Sequence, residues 1–247
     1  DEFGFAISNS NDAMIISYYG SSSEVNIPNT YNNLLVIGIM DRVFEDNLLL
    51  KIVNFEIDSN IEIIGDYAFA NCEKINSIKL PDSLVEIGSY SFYNTSLSEI
   101  YIGENVELID DYAFYYTNLF DLNFSENSNL QLIGYKAFNG LYIVEVEIPN
   151  TVVFIDDSAF SFNESMVSFT FEEGIILEKI PEYLLYKNSQ IEEIILPKSI
   201  KEIGYGAFSF MTSLSTFTIE DDSQLNYIDN MAFAECVNLK RIIFPVD

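Results

Sequence analysis

The chain has 247 residues, 39 of them acidic and 11 basic, with no histidine and a formal net charge of −28. Apolar residues make up 49%, enough to offset the entropy of ordering, which excludes a disordered chain. The longest apolar runs, such as LLVIGIM at 34–40, fall far short of the ~18 residues of a membrane span; a polyanion makes a poor partner for nucleic acid, and catalysis or metal binding through histidine is absent by inventory.

The first elements are two alternating runs, FGFAI (3–7) and AMIIS (13–17), on either side of the polar SNSND (8–12). This pattern predicts a β-hairpin, placed in an N-terminal segment 1–21 where it would cap the rest of the chain. From residue 22 onward a short signature recurs: VIGIMDRVF, IIGDYAF, EIGSYSF, LIDDYAF, LIGYKAF, FIDDSAF, KIPEYLL, EIGYGAF, YIDNMAF. It closes on Phe44, Phe69, Phe92, Phe114, Phe138, Phe160, Leu185, Phe208 and Phe233, at intervals of 22 to 25 residues. Nine copies at a near-constant period predict a solenoid over 22–247, in which each coil buries its apolar face only by stacking on its neighbours.

About ten residues after each anchor comes a second phrase, apolar-x-x-apolar-x-apolar, as in Leu97/Ile100/Ile102 and Ile143/Val146/Ile148. Its last two apolar positions sit two apart, the alternation of a strand with one buried face. Proline follows at Pro28, Pro81, Pro149, Pro197 and Pro245, where it ends the strand. Between the Gly or Asp of each signature and its Phe, the chain reads as a short helical turn, with Asp66, Ser89, Asp111 and Asp157 placed to cap its N–H groups. Alanine just before the anchor lets neighbouring turns approach closely. At strand spacing, ten coils make a rod or shallow horseshoe on the order of 45 Å long. The coil at 180–185, with Pro181 and Leu185 in place of the usual Gly/Asp and Phe, is the least regular and is expected to be a weak point.

Cys72 and Cys236 share one slot, three residues after an anchor, and lie roughly 33 Å apart by strand spacing, far beyond disulfide reach. They read as small buried residues at a bend, the alternative being intermolecular bridging or a reactive thiol. The acidic pairs Asp110–Asp111, Asp156–Asp157 and Asp221–Asp222 match no EF-hand loop and read as caps or solvated loops rather than as a calcium or other metal site. Tyr67, Tyr90, Tyr112 and Tyr183 recur two residues before the anchor and read as inter-coil packing more readily than as a glycan or peptide platform.

Outward strand positions line one continuous face. One column runs Ser77, Glu99, Asp121, Glu145, Ser168, Glu193, Thr216, Arg241, and its neighbour Lys79, Tyr101, Asn123, Glu147, Thr170, Ile195, Thr218, Ile243. The first is acidic through its middle coils. The candidate binding residues are therefore Glu99, Tyr101, Asp121, Asn123, Glu145, Glu147, Thr170, Glu193, Ile195 and Arg241, facing a cationic partner, with Tyr101, Ile195 and Ile243 as apolar anchors. The competing reading is a solvated face whose polarity prevents sheet pairing. No nucleophile–base pair, phosphate loop or metal cluster is visible, so neither catalytic residues nor a cofactor is expected.

The strings IGDYAF and IGYGAF and the strand-closing Ile/Leu-Pro resemble the BspA-like, or Treponema-type, leucine-rich repeats, over about residues 22–247. The resemblance implies an α/β leucine-rich-repeat solenoid: a parallel sheet of about ten short strands on one face, short helical turns on the other, and an N-terminal β-hairpin cap. It also implies a secreted or surface-attached protein, extracellular or at the cell surface, serving adhesion and binding a protein or glycan, with no shared catalytic residues. A spacer that projects another domain is the alternative. The array stops at FPVD without a polar cap, so the natural chain is expected to continue or the end to be covered by another copy.

Overall fold

The computed structural model describes residues 2–244. The C-terminal FPVD extends past them, and Pro245 lies outside the described residues. One coil shows how the sequence becomes architecture. Strand Glu99–Ile102 turns Ile100 and Ile102 inward and Glu99 and Tyr101 outward. A bend leads to the two-residue strand Leu108–Ile109, and a run of tight turns carries the chain past the buried Phe114 and Leu119 to the next strand, Asp121–Phe124. That strand is parallel to the first and in register, Asp121 opposite Glu99 and Asn123 opposite Tyr101. The repeat thus places every anchor over the last in a solenoid of parallel strands.

Two ladders run along it. On the broad face the strands pair in four groups: Glu24–Ile27 with Ile52–Phe55, Glu99–Ile102 with Asp121–Phe124, Glu145–Ile148 with Ser168–Phe171, and Glu193–Leu196 with Thr216–Ile219 and Arg241–Ile243. In place of the expected single sheet of about ten strands, the described residues hold nine strands in four ladders. The two-residue strands form longer ladders, one running from Leu34–Ile39 to Phe154–Ile155 and another from Lys179–Ile180 to Tyr227–Ile228. At the N-terminus, Phe3–Ile7 and Ala13–Tyr18 form an antiparallel hairpin whose second strand pairs parallel with Leu34–Ile39. The long first interval holds a further small hairpin, Thr30–Tyr31 against Leu34–Leu35, turned by Asn32 and Asn33, both at positive φ.

The expected helical turns are not present: no helix occurs among the described residues. The residues two before and two after each of the nine anchors have positive φ, from Arg42 and Asp46 around Phe44 to Met231 and Glu235 around Phe233. A left-handed residue on each side of the anchor stops α-helix propagation. Instead the N–H groups alternate. Those of Ala68, Ala70 and Cys72 close turns onto the carbonyls of Gly65, Tyr67 and Phe69, while those of Tyr67, Phe69 and Asn71 cross to Ser89, Ser91 and Tyr93 of the next coil. The segment is a chain of tight turns that is also an inter-coil ladder.

The aspartates likewise serve neighbours rather than their own turn. Asp41, Asp66, Asp111 and Asp157 accept the backbone N–H of Asp66, Ser89, Tyr135 and Glu182, each one coil ahead, at 2.7–3.0 Å. Ser89, expected as a cap, donates its hydroxyl to Asp110. Where the preceding coil lacks such an aspartate, having Ser89, Tyr135 or Tyr205 instead, the coil supplies its own: Asp110, Asp156 and Asp229 accept the N–H of the next residue. This accounts for the Gly-or-Asp choice in the signature except at Gly204, where the preceding coil has Glu182 and backbone alone crowds the position. A Cβ at Gly65, Gly88 or Gly134 would lie within 2.8 Å of the incoming Asp41, Asp66 or Asp111 carboxylate and equally close to backbone.

Inside, Phe44, Phe69, Phe92, Phe114, Phe138 and Phe160 form one stack with ring centroids 5.0–5.4 Å apart and planes within 16°. Tyr18 of the hairpin packs on its first ring at 5.0 Å. Leu185, fully buried, interrupts the stack, which resumes at Phe208 and Phe233.

Candidate interaction face

The strand registers align the outward positions into columns. Glu145 sits opposite Ser168, Glu193 opposite Thr216 and Thr216 opposite Arg241; beside them Glu147 faces Thr170, Ile195 faces Thr218 and Thr218 faces Ile243. All ten candidate binding residues, Glu99, Tyr101, Asp121, Asn123, Glu145, Glu147, Thr170, Glu193, Ile195 and Arg241, are solvent-exposed on this face. Tyr101 and Ile195 keep 57% and 51% of their surface exposed, so each offers an apolar contact among carboxylates. Asn123 donates to Asp121 at 2.7 Å, which fixes one acidic side chain in place. The columns extend further toward the N-terminus than the acidic pattern alone indicates: Glu24 and Asn26 pair with Ile52 and Asn54, and Asn54 bridges Glu24 and Asn26.

Charge on this face is largely uncompensated. Among the described residues there are two ion pairs, Arg42–Glu45 and Lys201–Glu178, and neither involves a column residue. The face is also not flat. Two depressions flank Thr170 and Ile195 and share Phe169 as floor. The one at the strand exits, about 650 Å³, is bounded by Glu147, Glu172, Glu173, Glu220, Asp221 and Asp222, with Lys198 the one base. The other, about 480 Å³, lies at the strand entries between Val167, Glu192 and Glu193. Reading the columns alone misses the exit acids, because they lie in turns whose approach depends on stacking. The one sequence signal for them is an acid directly after the strand in two of these coils, at Glu172 and Glu220.

The other sequence candidates are engaged within the array, except Asp221–Asp222, which border the exit depression. Asp110–Asp111 and Asp156–Asp157 are occupied by backbone N–H groups, and among the described residues no three potential metal ligands converge. Burial raises the Asp111 carboxyl above its usual range, opposed by the Tyr135 N–H it accepts; burial and nearby Asp110, Asp66 and Asp41 raise Glu86. Cys72 is buried and donates to the Phe44 carbonyl at 3.0 Å, and burial pushes its thiol up to about 12; Cys236 does the same to Phe208 and rises to about 11. Both are free thiols held as thiols. Tyr67, Tyr90 and Tyr112 stack face to face at 4.5–4.7 Å, with Arg42 over the free side of Tyr67, so ring faces that a sugar would need are already covered. Tyr183 meets Tyr205 edge to face.

Comparison with known proteins agrees with this geometry. No curated protein sequence matches the chain. A leucine-rich repeat protein from Bacteroides ovatus shares the fold over 99% of this chain and 70% of its own, with 23% identity and a TM-score of 0.71. The leucine-rich repeat protein of T. pallidum aligns over 97% and 88% of the two chains (21% identity, TM-score 0.52). The pneumococcal vaccine antigen PcpA aligns over 98% of this chain and 54% of its own (22% identity, TM-score 0.54). The model of the BspA type leucine-rich repeat region matches residues 37–167 and 131–247, which together span most of the sequence. The chain belongs to the BspA-type leucine-rich repeat family.

Proposed function

We propose that this chain is a non-catalytic interaction module, secreted or held at a cell surface, that offers its strand face to a protein or glycan ligand of cationic character, as an adhesion protein would. The observation that carries the proposal is the set of acids at the equivalent outward position of four strands, Glu99 and its register partner Asp121, Glu145 and Glu193, all exposed and outside the ion pairs of the described residues, beside the apolar Tyr101 and Ile195. A face that served only as a solvated surface would lose nothing by pairing its acids with lysines across the registers, and it does not do so. Family membership and the naming of one structural relative as a vaccine antigen support an extracellular setting.

The test is a solid-phase screen against extracellular matrix proteins and glycans at low and high salt, with the wild-type chain and E99K/D121K/E145K/E193K. Capture should weaken at high salt, since the carboxylates are exposed and screened, and should disappear in the charge-reversed variant. Binding that is unchanged by the four reversals overturns the proposal.

A further inference from the structure

The two depressions meet where the solenoid is least regular. One of the three openings of the broad-face ladder lies between Ser168–Phe171 and Glu193–Leu196, and the trough follows it along the strand direction, floored by Phe169, Thr170 and Ile195. At the exit end, two of the acids are held rather than loose. Glu172 accepts the backbone N–H of Asn150 at 3.0 Å and Glu220 that of Lys198 at 2.9 Å, each fixed to the coil before it. Each carboxylate has more than one acceptor site, so capacity is left for an incoming donor. Six acids against one lysine border an apolar floor, which is the complement of a long basic side chain: its methylene stem lies on apolar surface and its charged end reaches the carboxylates.

We infer that this trough binds an extended segment of a partner protein, with an aliphatic side chain over Phe169 and Ile195 and a lysine or arginine at the exit rim of Glu172, Glu173, Glu220, Asp221 and Asp222. The inference rests on the proposed role of the strand face and narrows it to one site on that face. Glu172 and Glu220 are placed before binding, so less ordering entropy is lost when the segment docks. Arginine is favoured over lysine, because two carboxylates fixed in separate turns suit a forked donor.

The experiment uses fluorescence anisotropy with a fluorescein-labelled decapeptide of alternating arginine and leucine, and a glutamine–leucine decapeptide as reference. Three variants of the full chain are compared with wild type: E172Q/E173Q/E220Q/D221N/D222N at the rim, I195T at the floor, and E56Q/D58N/D82N/E104Q/E126Q, which removes the same charge from exposed exit turns of earlier coils, outside both columns. The amide replacements keep oxygens able to accept the Asn150 and Lys198 N–H groups, and unchanged far-UV circular dichroism verifies folding. The arginine peptide should bind at least tenfold tighter than the glutamine peptide. The rim variant should lose at least tenfold, the floor variant roughly threefold with the loss persisting at high salt, and the remote variant less than twofold. Equal losses in the rim and remote variants would show binding by net charge and overturn the trough as a site while leaving the strand-face proposal standing. Arginine-peptide binding that survives the rim variant, or that is no tighter than glutamine-peptide binding, overturns the trough outright. The charge-reversal screen decides the broader proposal separately.

Discussion

From Asp66 to Phe160 neighbouring coils are joined three times over: by the stacked phenylalanines, by the ladder of two-residue strands, and by the turn ladder around the anchors. Between the coil of Phe160 and that of Leu185 two of these fail at once. Leu185 ends the stack, and the strands Phe154–Ile155 and Lys179–Ile180 belong to separate ladders. A buried polar bridge remains. Asn163 and Asn188 are both fully buried; Asn188 accepts the Asn163 N–H at 2.9 Å and donates to the Phe160 carbonyl at 3.0 Å. A solenoid coupled only to nearest neighbours tolerates such a loss at one interface without disturbing the others. The seam thus keeps the buried asparagine bridge that Asn163 also makes one coil earlier to Leu141 and Phe138, and lacks the ring stack and strand ladder that the regular coils add to it; the trough lies beside it.

The largest effect should come from breaking the regular region. Phe138 is fully buried between Phe114 and Phe160, with centroids 5.2 Å away on both sides. Phe138→Ala leaves a cavity that a stack of rings cannot close, and should cost about 3–5 kcal/mol in urea unfolding. A loss under about 1 kcal/mol would show that the stack is ornamental to stability.

At the seam the corresponding variant is Asn188→Ala. It removes the acceptor for the buried Asn163 N–H and the donor to the Phe160 carbonyl. Such orphaned groups cost about 1–3 kcal/mol, so the expected loss is smaller than at Phe138 but of the same order. Asn188→Leu should do no better, because volume does not satisfy the N–H. If the leucine variant matches wild type, the seam too is held by apolar packing.

Much of this was legible in the residues. The anchors, the period and most inward and outward strand positions follow from side-chain alternation and spacing; the segment of Ser77 and Lys79, which head the two columns, forms no strand. The turns mislead for a physical reason. Asp-Tyr-Ala-Phe has the composition of a capped helical turn, and nothing local in tyrosine announces the left-handed conformation adopted by Tyr67, Tyr90, Tyr112 and Tyr183. That conformation is imposed by the next coil, which takes alternate N–H groups. The aspartates mislead in the same way, since their partners lie one coil ahead, at separations of 23 to 25 residues. The trough rim was not legible because Glu172 and Glu220 reach it by bonding to a neighbouring coil.

The smallest effect separates the two regions most finely. In the regular coils, the residue after each two-residue strand donates its N–H to the strand one coil back: Gly134 to Ile109, Asp156 to Ile133, Gly204 to Ile180. At the seam that residue is Pro181, which has no N–H, and the carbonyl that would receive it is that of Ile155. Pro181→Gly restores the donor, worth about 1 kcal/mol, and gives up a similar amount by freeing the unfolded chain. Global stability should therefore stay within about 0.5 kcal/mol of wild type. The new N–H at the substituted position should nevertheless be protected from hydrogen exchange, and exchange should slow in the neighbouring Lys179–Ile180 strand, as the two ladders join. A variant that gains global stability without local protection would show that the proline strains the seam instead of merely leaving it unpaired.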